Sequence, residues 1–174
     1  MKYPLRKHIP SGPDNFLSVL EGIEGGFAIF TGIVAGLSFQ ISDRRLLIIT
    51  GLIGIIASAF NSSAVRYSTQ HYLDELDGHE KRNKTKYYLL PAIVEFIAYV
   101  LVAGVAILPL LLIDSLPLAV ITCSAITVGV LFVAGYYKGW LLRMNPLRDA
   151  LELSLLGAMI ILLGAGAGYG LALL

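Results

Sequence analysis

The sequence predicts an all-α integral membrane protein with five transmembrane helices. Three observations carry that expectation. The chain is 56% hydrophobic and only 14% charged, with a mean hydropathy of +0.76, whereas soluble domains carry about 25% charged residues. The charges are also segregated. Residues 25–42, 46–65, 96–113, 115–137 and 153–174 contain no Asp, Glu, Lys or Arg, and each run is close to the ~20 residues that cross a ~30 Å hydrocarbon core. Finally, the bilayer core offers no water to backbone N–H and C=O groups, so apolar runs of this length satisfy them internally as helices.

Taken in order, the helices are expected at 16–41, 46–68, 88–113, 116–138 and 150–174, within a single transmembrane domain covering 1–174. Only residues 42–45 separate the first helix from the second and only 114–115 the third from the fourth, so these pairs are antiparallel neighbours. Residues 69–86 form the one sizeable polar segment, expected as a cytoplasmic loop. Its first half can prolong the second helix, and Gly78 is a natural stop. Gly22, Gly26, Gly32 and Gly36 in the first helix and Gly164, Gly166, Gly168 and Gly170 in the last allow close helix packing or a dimer contact.

The basic residues set an orientation. Lys2, Arg6, Lys7, Arg66, Lys81, Arg82, Lys84, Lys86, Lys138, Arg143 and Arg148 fall on one side of the five spans, and only Arg44 and Arg45 on the other. The positive-inside rule therefore predicts a cytoplasmic N-terminus and a C-terminus on the opposite face. The first fifteen residues combine Lys2, Arg6 and Lys7 with three prolines and do not read as a cleavable signal. Cys123 is the only cysteine, which excludes a disulfide or a thiolate metal cluster within one chain. A net charge of +1 gives no basic patch for nucleic acid. No phosphate loop, nucleophile elbow or zinc-protease motif is present, so no enzyme is expected and no cofactor.

Function is expected where acids enter the apolar spans. Glu24 lies roughly 15 Å into the first helix, too deep for a short side chain to reach water. Glu21 precedes it at i, i+3, on the same helix face. Acids at bilayer depth commonly face a bundle interior and mark an ion path. Glu95, near the start of the third helix, is a third candidate, or else reaches the headgroups. Asn61 and Ser62 form a polar patch in the second helix that lines a path or bonds neighbouring helices. His71 and Glu75, at i, i+4, could chelate a metal or simply solvate a helix end. Carboxylates suit divalent cations such as Mn²⁺ and Fe²⁺, or protons. One helix supplies too few ligands, so other helices or a second subunit must contribute. A transporter of another cation and a non-transporting membrane scaffold are the rival readings.

The chain resembles the vacuolar iron transporter family. The resemblance rests on Glu24-Gly25-Gly-Phe-Ala-Ile-Phe-Thr-Gly-Ile-Val-Ala-Gly-Leu-Ser38 in the first helix and on the small-residue stretch from Gly51 through Ser62 to Arg66-Tyr67 in the second. Pro91 and Pro109 bracket the third helix, Leu131-Phe-Val-Ala-Gly135-Tyr-Tyr-Lys138 stands in the fourth, and Arg148-Asp-Ala-Leu-Glu-Leu-Ser-Leu-Leu-Gly157 opens the fifth. The resemblance implies a homodimer of five-helix protomers that exports Fe²⁺ or Mn²⁺ from the cytoplasm, in exchange for protons, along a path formed by the first two helices. It places Glu24 at the family's first-helix acid. The chain departs from the pattern at Gly54, where characterised members carry an acid, and at Ser62, where they carry a methionine. The segment at 69–86 is too short for the cytoplasmic metal-binding domain of some relatives.

Overall fold

The computed structural model describes residues 13–78 and 83–174. It is helical throughout its regular structure: α1 (Pro13–Leu37), α2 (Arg44–Leu76), a π-helical turn (Thr85–Leu89) that runs into α3 (Leu90–Ala106), a short α4 (Leu108–Leu112), α5 (Leu116–Leu141) and α6 (Pro146–Ala172). Among the described residues five helical segments are long and apolar enough to cross a membrane, the third being the continuous path Thr85–Leu112. Leu, Ile, Val and Phe side chains such as Ile53, Phe60, Leu101, Ile121, Leu162 and Leu163 point outward. In water such a surface would drive aggregation; in a bilayer it is the surface that lipid solvates.

Local chemistry explains the helix ends. Asp43 caps α2, its Oδ1 accepting from the Leu46 amide at 2.7 Å, and Asn145 caps α6 through the Arg148 amide, with Pro146 in the first turn. Between α3 and α4 the break falls at Ile107. Pro109 has no N–H to offer the carbonyl four residues back, and the chain tightens there, Leu110 N–H bonding Ile107 O at 2.9 Å.

Several boundaries differ from expectation, including the start of the last helix at Pro146 rather than 150. The first helix ends at Leu37 rather than 41 and closes through a turn at residues 38–40. The second runs 33 residues to Leu76, so the expected loop at 69–86 is helical in its first eight residues. Tertiary packing supports this extension. Asp74 is buried and accepts a 2.8 Å hydrogen bond from the hydroxyl of Tyr88, itself buried in the π-helical turn. Gly78, with φ of +72°, then supplies the left-handed residue that ends the helix. Asn83, in a sequon-like Asn-Lys-Thr, accepts from the amides of Thr85 and Lys86 and starts the π-helical turn.

α1 is the central helix, the most buried of the five spans, and packs against α2, α3, α5 and α6. Glycines make this possible. A Cβ at Gly36 would lie 2.6 Å from the Gly164 carbonyl oxygen, so α1 and α6 touch backbone to backbone. A Cβ at Gly22 would lie 2.8 Å from the Glu95 carbonyl oxygen, which seats α1 on α3. The first-helix glycines and Gly164 and Gly168 of the last helix are thus occupied within one protomer, while a Cβ at Gly166 or Gly170 would meet no neighbour within 4 Å among the described residues. Buried hydroxyls also cross-link the helices. Thr31 and Thr127, both fully buried, share a 2.7 Å hydrogen bond between α1 and α5. Arg44 donates to the Asp114 carbonyl, which ties the α1–α2 and α4–α5 connections together at one end of the bundle.

Candidate cation site

Ser62, Arg66 and Gln70 recur at i, i+4 and i+8 on α2 and therefore share one helix face. They line a cleft of about 330 Å³ together with Leu17 and Glu21 of α1 and Glu95 of α3. The Glu95 side chain is only 1% exposed. Its Oε1 accepts a 2.5 Å hydrogen bond from the Ser62 hydroxyl, while its Oε2 is buried with no hydrogen-bond partner among the described residues. Arg66 Nε stands 3.8 Å from that oxygen, close enough for attraction and too far for a hydrogen bond. The Arg66 guanidinium meanwhile donates to Glu21, whose side chain is 49% exposed. The cleft thus grades from a half-exposed carboxylate at its mouth to a fully buried one at its base, with the cation between them.

The charges do not balance. Among the described residues two carboxylates face one guanidinium, and a buried carboxylate oxygen without a donor is costly. Such a base attracts a further positive charge. The groups around it are oxygens: the two carboxylates, the Ser62 hydroxyl and the Gln70 amide. Oxygen donors suit hard and borderline divalent cations. The protomer supplies only two acids here, and among the described residues no group of three or more His, Cys, Asp or Glu is arranged to hold a metal.

The structure therefore brings Glu21, Ser62 and Glu95 together and leaves the other candidates elsewhere. Glu24 does not line the cleft. Although one turn from Glu21, it is half-buried and feels the charge of Lys138 on α5, so the two acids of α1 answer to different neighbours. Asn61 is exposed on α2, one position round the helix from Ser62, with no side-chain hydrogen bond among the described residues. His71 Nε2 lies 3.4 Å from Glu75 Oε1, but the nearby Asp74 is committed to Tyr88 and the imidazole packs against that tyrosine ring, with centroids 5.2 Å apart. The pair stays a pair. His79 and Glu80, further along the same polar segment, lie outside the described residues.

Two charged groups emerge that sequence reasoning passed over. Arg66 reads in sequence as a basic helix end, yet it stands ten residues from the true end of α2. The unbroken helical run through 76 was the signal. Asp149 reads as a first-turn acid but is buried against α5, with Oδ2 unpartnered and directed at Gly139, where a Cβ would lie 2.7 Å from it. Gly135 and Gly139, four apart on α5, were the trace of that close approach.

Five helices long enough to span a membrane, three of which hold one half-exposed and one buried carboxylate in a cleft, describe a membrane protein with a cation-attracting site. The comparisons agree with that class. Residues 68–170, more than half of the chain, match the VIT family, and the chain belongs to it. It is also similar to the protein named Vacuolar iron transporter 1 of Arabidopsis thaliana, at 35% identity over 100 residues, 56% of this chain and 40% of that protein. The match thus spans less than half the length of that relative. The family match begins at the C-terminal part of α2 and takes in Glu95, while Glu21, Glu24, Ser62 and Arg66 precede it.

Proposed function

We propose that this chain transports divalent transition-metal cations, Fe²⁺ or Mn²⁺, out of the cytoplasm, and that it works as a homodimer. The observation that carries the reading is Glu95 Oε2, a buried carboxylate oxygen with no donor at the base of a cleft. Membership of the VIT family and the name of the Arabidopsis relative favour a metal cargo. The excess of basic residues, eleven against two, favours the direction, because it puts the mouth of the cleft on the cytoplasmic side.

In this reading an incoming cation meets Glu21 first, since that carboxylate is half in solvent. It then sheds water as Glu95 and the Ser62 hydroxyl take the place of hydration oxygens. Glu24, one turn deeper on α1, is the next acid on the way across. Carboxylates must be ionised to hold a metal, so protons arriving from the far side release it and return through the same groups. The dimer supplies what one protomer lacks. Exposed Asn61 at bilayer depth is a poor lipid contact and a good hydrogen-bond partner for a second copy, and a two-fold axis would double the acids of α1.

A second reading has one observation in its favour. Arg66 already partly neutralises the two acids, as it would in a relative that keeps the fold without moving metal. Flux measurements in proteoliposomes separate the two. Fe²⁺, Mn²⁺, Co²⁺ and Zn²⁺ are compared under an imposed pH gradient, for the wild type and for Glu95→Gln. The transport reading expects Fe²⁺ or Mn²⁺ flux that Glu95→Gln abolishes; flux no greater than in empty liposomes supports the scaffold.

A further inference from the structure

We infer that Arg66 is a tethered stand-in for the cargo: it occupies the carboxylate cleft when no metal is bound, and a divalent cation must displace it to bind. The inference rests on the transport reading above and assigns a role to a residue that reading does not use.

Three observations support it. Arg66 pairs with Glu21 on one side and approaches Glu95 on the other, so its guanidinium sits between the oxygens that would ligate an ion. It is nonetheless imperfectly seated, because Glu95 Oε2 is left without a hydrogen bond while Nε stays 3.8 Å away. A guanidinium matched to Glu95 would close on that carboxylate with paired, parallel bonds; among the described residues the buried Oε2 stays open. And the cleft has room beside it, about 330 Å³, opening past half-exposed Glu21.

The charge arithmetic gives the exchange a direction. Two carboxylates and one guanidinium leave the cleft at −1, whereas two carboxylates and a divalent ion leave it at zero. A monovalent ion replacing Arg66 merely restores −1 and gains nothing. A guanidinium keeps its charge at any working pH, so it cannot vacate the site by losing a proton and must swing out, its long stem lying along the apolar wall while the head reaches the mouth. Arg66 thereby tunes the site in two ways. It lowers the affinity for metal enough for release, and it excludes Na⁺ and K⁺.

The test is Mn²⁺ binding to the full chain in nanodiscs, read from the loss of the free Mn²⁺ resonance signal. Arg66→Gln should bind Mn²⁺ roughly tenfold or more tighter than the wild type, because the competing charge-assisted contacts are gone. It should also lose its indifference to added K⁺. Arg66→Lys, which keeps a tethered charge, should stay close to the wild type. If the wild type binds Mn²⁺ and Arg66→Gln binds no tighter, the stand-in role is wrong while the metal reading survives. If neither binds Mn²⁺, both fall. A measurement on the unaltered protein decides the matter even if Arg66→Gln fails to fold: phenylglyoxal modification of Arg66, followed by peptide mass spectrometry, should accelerate when Mn²⁺ is added, since displacement exposes the guanidinium. A rate that is unchanged or slower with Mn²⁺ overturns the inference.

Discussion

Removing the Arg66 charge should destabilise the metal-free protein, and the cost should vanish when Glu95 is neutral. At 3.8 Å and an effective dielectric of ~20, the Arg66–Glu95 attraction is roughly 4 kcal/mol before desolvation is charged against it. Breaking a buried pair from one side leaves the other ion uncompensated, at about 3–5 kcal/mol. Arg66 is 15% exposed, which argues for the lower end of that range. The contact with half-exposed Glu21 adds less than about 1 kcal/mol. Arg66→Met should therefore cost about 3 kcal/mol in the wild-type background and less than about 1 kcal/mol beside Glu95→Gln, a coupling of roughly 2 kcal/mol. Cys123 provides the assay. It is the only cysteine, 1% exposed, with its thiol 3.3 Å from the Ala106 carbonyl oxygen. A thiol-reactive fluorogenic dye therefore reports unfolding as detergent denaturant is raised. A coupling below about 0.5 kcal/mol, within the additivity of independent sites, would show that Glu95 does not depend on Arg66, and the electrostatic account of the cleft would be wrong.

Further predictions follow from other parts of the molecule. Glu24→Gln should abolish metal flux in proteoliposomes without altering the Cys123 unfolding profile, because an amide keeps the shape and removes the charge; flux at the wild-type rate would remove Glu24 from the path. Metal flux should fall as pH is lowered on the loading side, since ionised carboxylates bind the cargo; a flat profile would point away from the acids altogether. Gly36→Val should force α1 away from α6, where even a Cβ lies 2.6 Å from the Gly164 carbonyl oxygen, at a cost of about 1–3 kcal/mol or more, read by the same dye assay. In a Cys123→Ser background, a cysteine at position 79 should resist membrane-impermeant labelling of intact cells while one at position 174 accepts it; the reverse pattern inverts the topology. A cysteine at position 61 should cross-link to its own copy in bilayers if Asn61 marks the dimer contact.

What the sequence determined alone is the part of the problem that the bilayer poses locally. A helix must be apolar over ~20 residues to cross, and that demand is written run by run, so the five spans are legible without any knowledge of how they pack. The breaks are local too: Pro109 ends one helix because of its own missing N–H, and Gly78 ends another because it accepts a positive φ. The extension of α2 to Leu76 was harder to read, since it is held by a bond from Tyr88 to Asp74 across a polar segment. The site was only half legible. Glu21, Ser62 and Glu95 stand out as polar groups in apolar runs, but nothing local says that they meet one another and that Glu24 turns elsewhere. Partners 45 residues apart, as Glu21 and Arg66 are, meet through the packing of α1 on α2, and Gly22 seats α1 on α3 at the level of Glu95. Helix rotation and depth are set by that packing, and a rotation of one residue, about 100°, is the difference between Ser62 inside the cleft and Asn61 facing out.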